Sequence, residues 1–254
     1  MRIPYPLVPL EVTMSEFTRP MRILAGTAAG IAVFFAAACG SEEVPPRTEY
    51  CAFVPDLSIS ASSVTARASQ LLSSFVLDQG CASVQVVPIT SNSSGEACAV
   101  PAIDLLDLTA APDNRAGIRA EIADEKIPLV VQQVAALNQC VMANGTNSAT
   151  DVTGALRQAA KLANGDPVTV LVVSDLVHNV GLDMVTTALE TDALRSDVAT
   201  ALQAQLPDMS GWSVTAAGVA AGTSALTPVQ SDSVQAVWEA AVREKGASWH
   251  RTSV

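Results

Sequence analysis

Residues 168–173, Val-Thr-Val-Leu-Val-Val, form a nearly unbroken β-branched run without a charge. A strand with one face in water alternates apolar and polar residues; this one does not. It reads as a central strand buried on both faces, a position found almost only in parallel sheets covered by helices. The flanking sequence agrees. Cys51-Ala52-Phe53-Val54-Pro55 is a short apolar strand, and a helix follows from Ser62-Ser63 to about Leu77, with apolar residues at helical spacing. Ser83-Val84-Gln85-Val86-Val87 opens a second strand, and after the loop 90–95 the stretch 97–106 reads as a third, hairpin-paired and antiparallel to it. Helical stretches are expected at 114–126 and 128–142, with Pro128 suited to a first turn. Thr150 opens a further helix over 151–163. Beyond the central strand come a helix at 192–206, an extended stretch at 211–219, a helix from Thr227-Pro228 to Lys245 and an edge strand at 248–252. This alternation predicts an α/β fold: a doubly wound, mostly parallel central sheet with one antiparallel strand and helices on both faces.

Ahead of this domain, residues 23–39 are one continuous apolar run preceded by Arg19 and Arg22, the basic and apolar regions of a secretory signal. The run ends in Ala36-Ala37-Ala38-Cys39-Gly40, which resembles the bacterial lipobox. That resemblance implies cleavage after Ala38 and acylation of Cys39, palmitate included, as the first mature residue. A single transmembrane anchor is the competing reading, but the run is short for one and its small-residue end suits a peptidase better. Glu11, Glu16 and four prolines sit oddly before a signal, so residues 1–20 are open to being a mis-assigned start, with Met14 or Met21 as the alternative. The expected organisation is therefore signal peptide 1–38, lipidated Cys39 with a Pro-containing tether to 49, and one domain over 50–254. Three arginines and two glutamates leave with the signal, so the net charge moves from −11 to −12. Such a charge excludes a nucleic-acid backbone as partner, and the mere three lysines (126, 161, 245) exclude a polybasic membrane patch. Membrane contact is expected through the lipid alone. Four further cysteines, Cys51, Cys81, Cys98 and Cys140, suit two disulfides in an exported, lipid-anchored chain facing away from the cytoplasm; buried reduced thiols are the alternative.

Ligands of doubly wound sheets sit outside the carboxyl ends of the parallel strands, so the residues just after strands carry the functional information. After strand one comes Asp56-Leu57-Ser58-Ile59-Ser60; after the central strand, Ser174-Asp175-Leu176; at a helix start between them, Thr150-Asp151-Val152-Thr153-Gly154-Ala155-Leu156. All offer oxygen, and none offers His or Cys, which is the donor set of a hard divalent cation. Taken alone, the first pentapeptide is as well explained by a capping turn. Together the three segments resemble the von Willebrand factor type A domain and its metal-ion-dependent adhesion site. The resemblance implies Ser58 and Ser60 as direct ligands of Mg²⁺ (with Mn²⁺ or Ca²⁺ as alternatives), Thr150 directly or through water, and Asp56 and Asp175 as carboxylates holding coordinated water. It further implies a protein partner that supplies an acidic side chain to the metal. Two departures from the family pattern stand out: Ile59 and Leu176 occupy positions where Gly is common.

Topology then orders the cysteines. Cys51 and Cys81 precede strands one and two, at the edge opposite the metal, while Cys98 and Cys140 fall nearer the metal edge. The expected pairs are Cys51–Cys81 and Cys98–Cys140. No Gly-x-Ser-x-Gly elbow, phosphate loop or His-Glu-x-x-His occurs, so no enzyme is expected. His178 reads as a polar loop residue near the rim, His250 as structural, and Trp212, Trp238 and Trp249 as core. The expected function is Mg²⁺-dependent protein binding or adhesion by a cell-envelope lipoprotein. The alternatives are a Mg²⁺-dependent phosphohydrolase with Asp56 as nucleophile, or a structural lipoprotein whose metal site is inactive.

Overall fold

The computed structural model describes residues 50–58, 64–95, 97–105, 116–184, 189–217 and 226–252. In chain order the elements are β1 (Cys51–Pro55), α1 (Val64–Asp78), β2 (Ser83–Val86), β3 (Ile103–Asp104), α2 (Ala116–Ala143), α3 (Val152–Leu162), β4 (Thr169–Val173), α4 (Asp192–Gln203), β5 (Ser213–Ala217), α5 (Pro228–Glu244) and β6 (Ser248–Thr252). The strands form one sheet in the order β3-β2-β1-β4-β5-β6, parallel except for β3, which runs antiparallel to β2. This is the doubly wound α/β architecture that the alternation of patterns predicts.

Every residue of β1 and β4 is buried, because each strand has a sheet neighbour on both sides and helices above and below. The pleat sends alternate side chains to opposite cores. Ala52 and Val54 of β1 join α3, α4 and α5, together with Val170, Val172, Trp212, Trp238 and Trp249. Cys51 and Phe53 join α1 and α2 on the other face, with Leu171 and Val173. All three tryptophans are core residues, as their positions suggest. Helix starts carry local signals. Asp151 caps α3 by accepting from the Gly154 N–H, Thr191 caps α4, and Thr227 with Gln230 forms a capping box ahead of Pro228.

Two expectations need correction. The stretches 114–126 and 128–142 are not separate helices; α2 runs through Pro128. Proline removes one i to i−4 hydrogen bond and crowds the carbonyl at i−4. Here Pro128 and Asp124, the residue whose carbonyl loses its donor, both lie on the exposed side, where water can replace the bond. The third strand is two residues long instead of spanning 97–106, of which Leu106 lies outside the described residues. Side chains take up the carbonyls that a longer ladder would use: Gln85 Nε2 donates to the Val100 carbonyl at 2.7 Å and Gln133 Nε2 to that of Pro101 at 2.9 Å.

Both disulfides form as expected, Cys51–Cys81 and Cys98–Cys140. Among the described residues no helix is long and apolar enough to cross a membrane. The apolar run 23–39, Cys39 and the tether lie outside the described residues.

Candidate metal centre

Helix α1 leads the chain from β1 outward to β2, a loop leads on to β3, and α2 packs on the same face as α1, whereas α3 lies on the other face and β4, β5 and β6 extend the opposite way. The switch in direction therefore falls between β1 and β4, and a crevice opens outside their carboxyl ends. Asp56 is the first residue after β1, and Ser174 and Asp175 are the first after β4. The strands are in register, Pro55 opposite Val173, so these residues meet across the gap.

Asp56 is 2% exposed and fully engaged. Its Oδ1 accepts the Ser58 N–H at 3.0 Å, and its Oδ2 accepts the Ser174 hydroxyl at 2.7 Å. Burial pushes the Asp56 carboxyl above the usual carboxylate range; the bonds from Ser174 and Ser58 pull it down, and the neighbouring Asp175 carboxylate adds to the upward push. Asp175 is also raised, by burial, against a bond from the Val177 N–H to its Oδ1. Both carboxyls are raised mainly by burial, Asp175 adds to the rise at Asp56, and no Lys or Arg is among the groups that shift either one.

Thr150 is 5% exposed and reaches the same edge through backbone ties. Its N–H donates to Asn179 Oδ1 at 2.7 Å and its carbonyl accepts the Asn179 N–H at 3.1 Å. The next residue, Asp151, donates its N–H to the Thr90 carbonyl at 2.8 Å, while Ile89 accepts from the Leu57 N–H at 3.0 Å. Thr150 is thus bracketed by the segment beside Asp56 and by the turn carrying Asp175. Ser60 lies outside the described residues, and so does Ile59. Ser58 is buried, and its hydroxyl as well as its N–H bonds to Asp56.

The turn after β4 is built around Leu176, whose φ of 60° is left-handed. Most side chains avoid that region, at a cost of about 1–2 kcal/mol. The turn persists because it is held from several sides. Ser174 Oγ accepts the Leu176 N–H at 3.0 Å, and the Leu176 carbonyl accepts both the His178 N–H at 2.8 Å and the Trp238 indole N–H at 2.9 Å. The Leu176 side chain is itself core. Leu176 thus holds a backbone conformation that glycine adopts most readily.

His178 is no rim residue: it is fully buried, and its Nδ1 accepts the Val152 N–H at the start of α3 at 3.2 Å. Its ring meets Trp238 edge-on at 6.1 Å. Burial lowers its pKa, partly offset by the Asp151 carboxylate, so the neutral ring that can accept from Val152 is favoured. His250, expected to be structural, projects from β6 into solvent. Ser174, Asn179 and Trp238 are the positioning residues that sequence reading did not assign. Ser174 had a signal, as a hydroxyl directly between a strand end and a candidate carboxylate; Trp238 had none, because its role depends on how α5 docks.

As chemistry, the edge offers two carboxyls and several hydroxyls. Among the described residues no three His, Cys, Asp or Glu side chains gather. A cation here would complete its shell with hydroxyls and water, a set that fits Mg²⁺ and does not fit zinc. The class of protein so defined is a doubly wound α/β domain with an oxygen-lined site at its switch point.

Comparison with known proteins adds little. No family model matches the chain, and no curated protein matches it. Among solved structures, the human COPII-coat protein Sec24c is similar at a TM-score of 0.33 and 12% identity, over 82% of this chain and 30% of that one. A likeness of this size bears on neither fold nor function.

Proposed function

We propose that this protein is a lipid-anchored envelope protein whose von Willebrand A-like domain binds a protein partner through Mg²⁺. The observation that carries the reading is the pairing of Asp56 and Asp175 at the ends of adjacent parallel strands, both raised by burial, with no Lys or Arg among the described groups that shift either one. Asp56, Ser58, Thr150 and Asp175 would hold the metal, with Ser60 as a fifth ligand from the sequence pattern. When bound, the dication supplies positive charge at one point of a strongly acidic domain and an open position for a partner's carboxylate. The chain's own residues keep the carboxyls in place and out of bulk water. The two disulfides are compatible with an extracytoplasmic location, and the lipobox-like Cys39 would tether the domain there.

The test is a thermal-unfolding titration with Mg²⁺ and Mn²⁺, followed by capture from envelope extract with Mg²⁺ and again with EDTA. The expected result is metal-induced stabilisation and EDTA-sensitive capture, both lost in Asp56→Ala. Absence of metal stabilisation would favour a structural lipoprotein, and Mg²⁺-dependent phosphate release from a generic phosphomonoester would favour a phosphohydrolase.

A further inference from the structure

The two disulfides differ in their surroundings. Cys51–Cys81 ties the first residue of β1 to the approach to β2, and its cysteines are 0% and 6% exposed. Burial of both cysteines hinders the in-line approach of a thiol to either sulfur. Cys98–Cys140 joins the segment before β3 to the last turn of α2, and both residues are only partly buried. Asn144 stands over it: its Nδ2 lies 3.3 Å from each sulfur and donates to the Cys140 carbonyl at 3.0 Å. An amide donor aimed at both sulfurs is placed to stabilise a thiolate released when the bond opens.

We propose that Cys98–Cys140 is a thiol–disulfide exchange site, opened by a dithiol reductant while Cys51–Cys81 stays closed. The attacked sulfur is Cys140 Sγ. The Asn144 amide lies equally near both sulfurs, so the helix decides: a thiolate on Cys140 would sit at the negative end of the α2 dipole, and Cys98 is the better first leaving group. The entering thiolate bonds to Cys140 Sγ as the Cys98–Cys140 bond breaks. The electron pair goes to Cys98 Sγ, which then takes a proton from water. The second thiolate of the reductant next attacks the sulfur that bonded Cys140, releasing Cys140 as a thiolate that is protonated in turn. Two electrons pass to the protein, and the dithiol ends as a disulfide.

Opening the bond acts on the edge described above. The segment from Thr90 to Cys98 is fastened to the approach to α3 by Ser91 N–H on the Thr146 carbonyl and Asp151 N–H on the Thr90 carbonyl, both at 2.8 Å. The disulfide is the covalent tie that holds the far end of this segment against α2. Once it is cut, the backbone amides of Ser91 and Asp151 lose protection.

The experiment treats the exported chain with graded dithiothreitol under native conditions, alkylates the free thiols and reads each cysteine by peptide mass spectrometry. Cys98 and Cys140 should label at a reductant concentration at least about tenfold below that needed for Cys51 and Cys81. Simultaneous labelling, or the opposite order, overturns the proposal. Asn144→Ala should slow native-state reduction several-fold, and an unchanged or faster rate removes the amide from the mechanism. Hydrogen exchange after selective reduction should accelerate at Ser91 and Asp151; unchanged exchange there refutes the coupling to the site edge. None of these readouts depends on a bound metal.

Discussion

Ser174 donates its hydroxyl to Asp56 Oδ2 at 2.7 Å, joining the first residue after β4 to the first after β1 across 118 positions of sequence. The bond is buried and its acceptor carries the burial cost of the site. Ser174→Ala leaves that oxygen without its donor and frees the Leu176 N–H as well. The expected loss of stability is about 1–3 kcal/mol, read by urea unfolding. In a double-mutant cycle with Asp56→Asn, the two changes should couple by about 1 kcal/mol or more. Strict additivity would show that the bond contributes nothing.

The raised carboxyls give the site a pH dependence with a definite sign. Asp56 and Asp175 both stand above 3.8 in the folded protein, so each binds a proton more tightly folded than unfolded. Their contribution is fully present below 3.8 and is lost as pH rises through the raised folded values. A dication binds the ionised carboxylates only, so its stabilisation should grow over the same window. Thermal shifts with Mn²⁺ should be larger near pH 7.5 than near pH 4.5, by an amount that Asp56→Asn greatly reduces. An equal shift at both pH values would place the metal elsewhere.

Most of the fold was legible because its signals are local. The β-branched run of β4 needs burial on both faces wherever it lies, and the cap at Thr227 acts within three residues. The disulfide pairs followed from the edge of the sheet on which each cysteine was expected to fall. What was not legible depends on packing between distant segments. Whether Pro128 breaks a helix depends on whether its side faces water, and the third strand is cut short by glutamines reaching in from β2 and α2. At the site, the strand-end rule found Asp56 and Asp175. It gave no warning that His178 turns inward, since the ring's partners are the start of α3 and a tryptophan on α5.

Leu176 sets two effects against each other. Replacing it with Gly relieves a left-handed backbone, worth about 1–2 kcal/mol. The same change deletes a side chain that is 1% exposed in the core beside α5. Leu→Ala changes at such positions cost about 2–5 kcal/mol, and Gly removes one carbon more. Burial wins, so Leu176→Gly should destabilise by about 1–3 kcal/mol despite the favourable backbone. Trp238→Phe, which keeps an aromatic ring but removes the indole donor to Leu176, should cost about 1–2 kcal/mol. Chemical denaturation measures both. A stabilised Leu176→Gly protein would mean that the side chain contributes little to the core.

Gly154 reverses a familiar helix rule. In a helix interior Ala is ordinarily better than Gly by about 1 kcal/mol. At this position an added Cβ would lie 2.0 Å from Asp151 Oδ2 and 2.5 Å from its Cγ, so the carboxylate has to swing away. That movement breaks its bonds from the Gly154 N–H at 2.8 Å and the Thr153 hydroxyl at 3.1 Å. Losing a cap costs about 0.5–2 kcal/mol, and a carboxylate only 4% exposed cannot easily find other donors. Gly154→Ala should therefore destabilise the protein by about 1–3 kcal/mol and fray α3 at its N-terminus, next to Thr150. The background Asp151→Ala removes the clash along with the cap. There, the same Gly154→Ala change should become neutral or stabilising by up to about 1 kcal/mol. A destabilisation of equal size in both backgrounds would rule out the Asp151 contact as its cause.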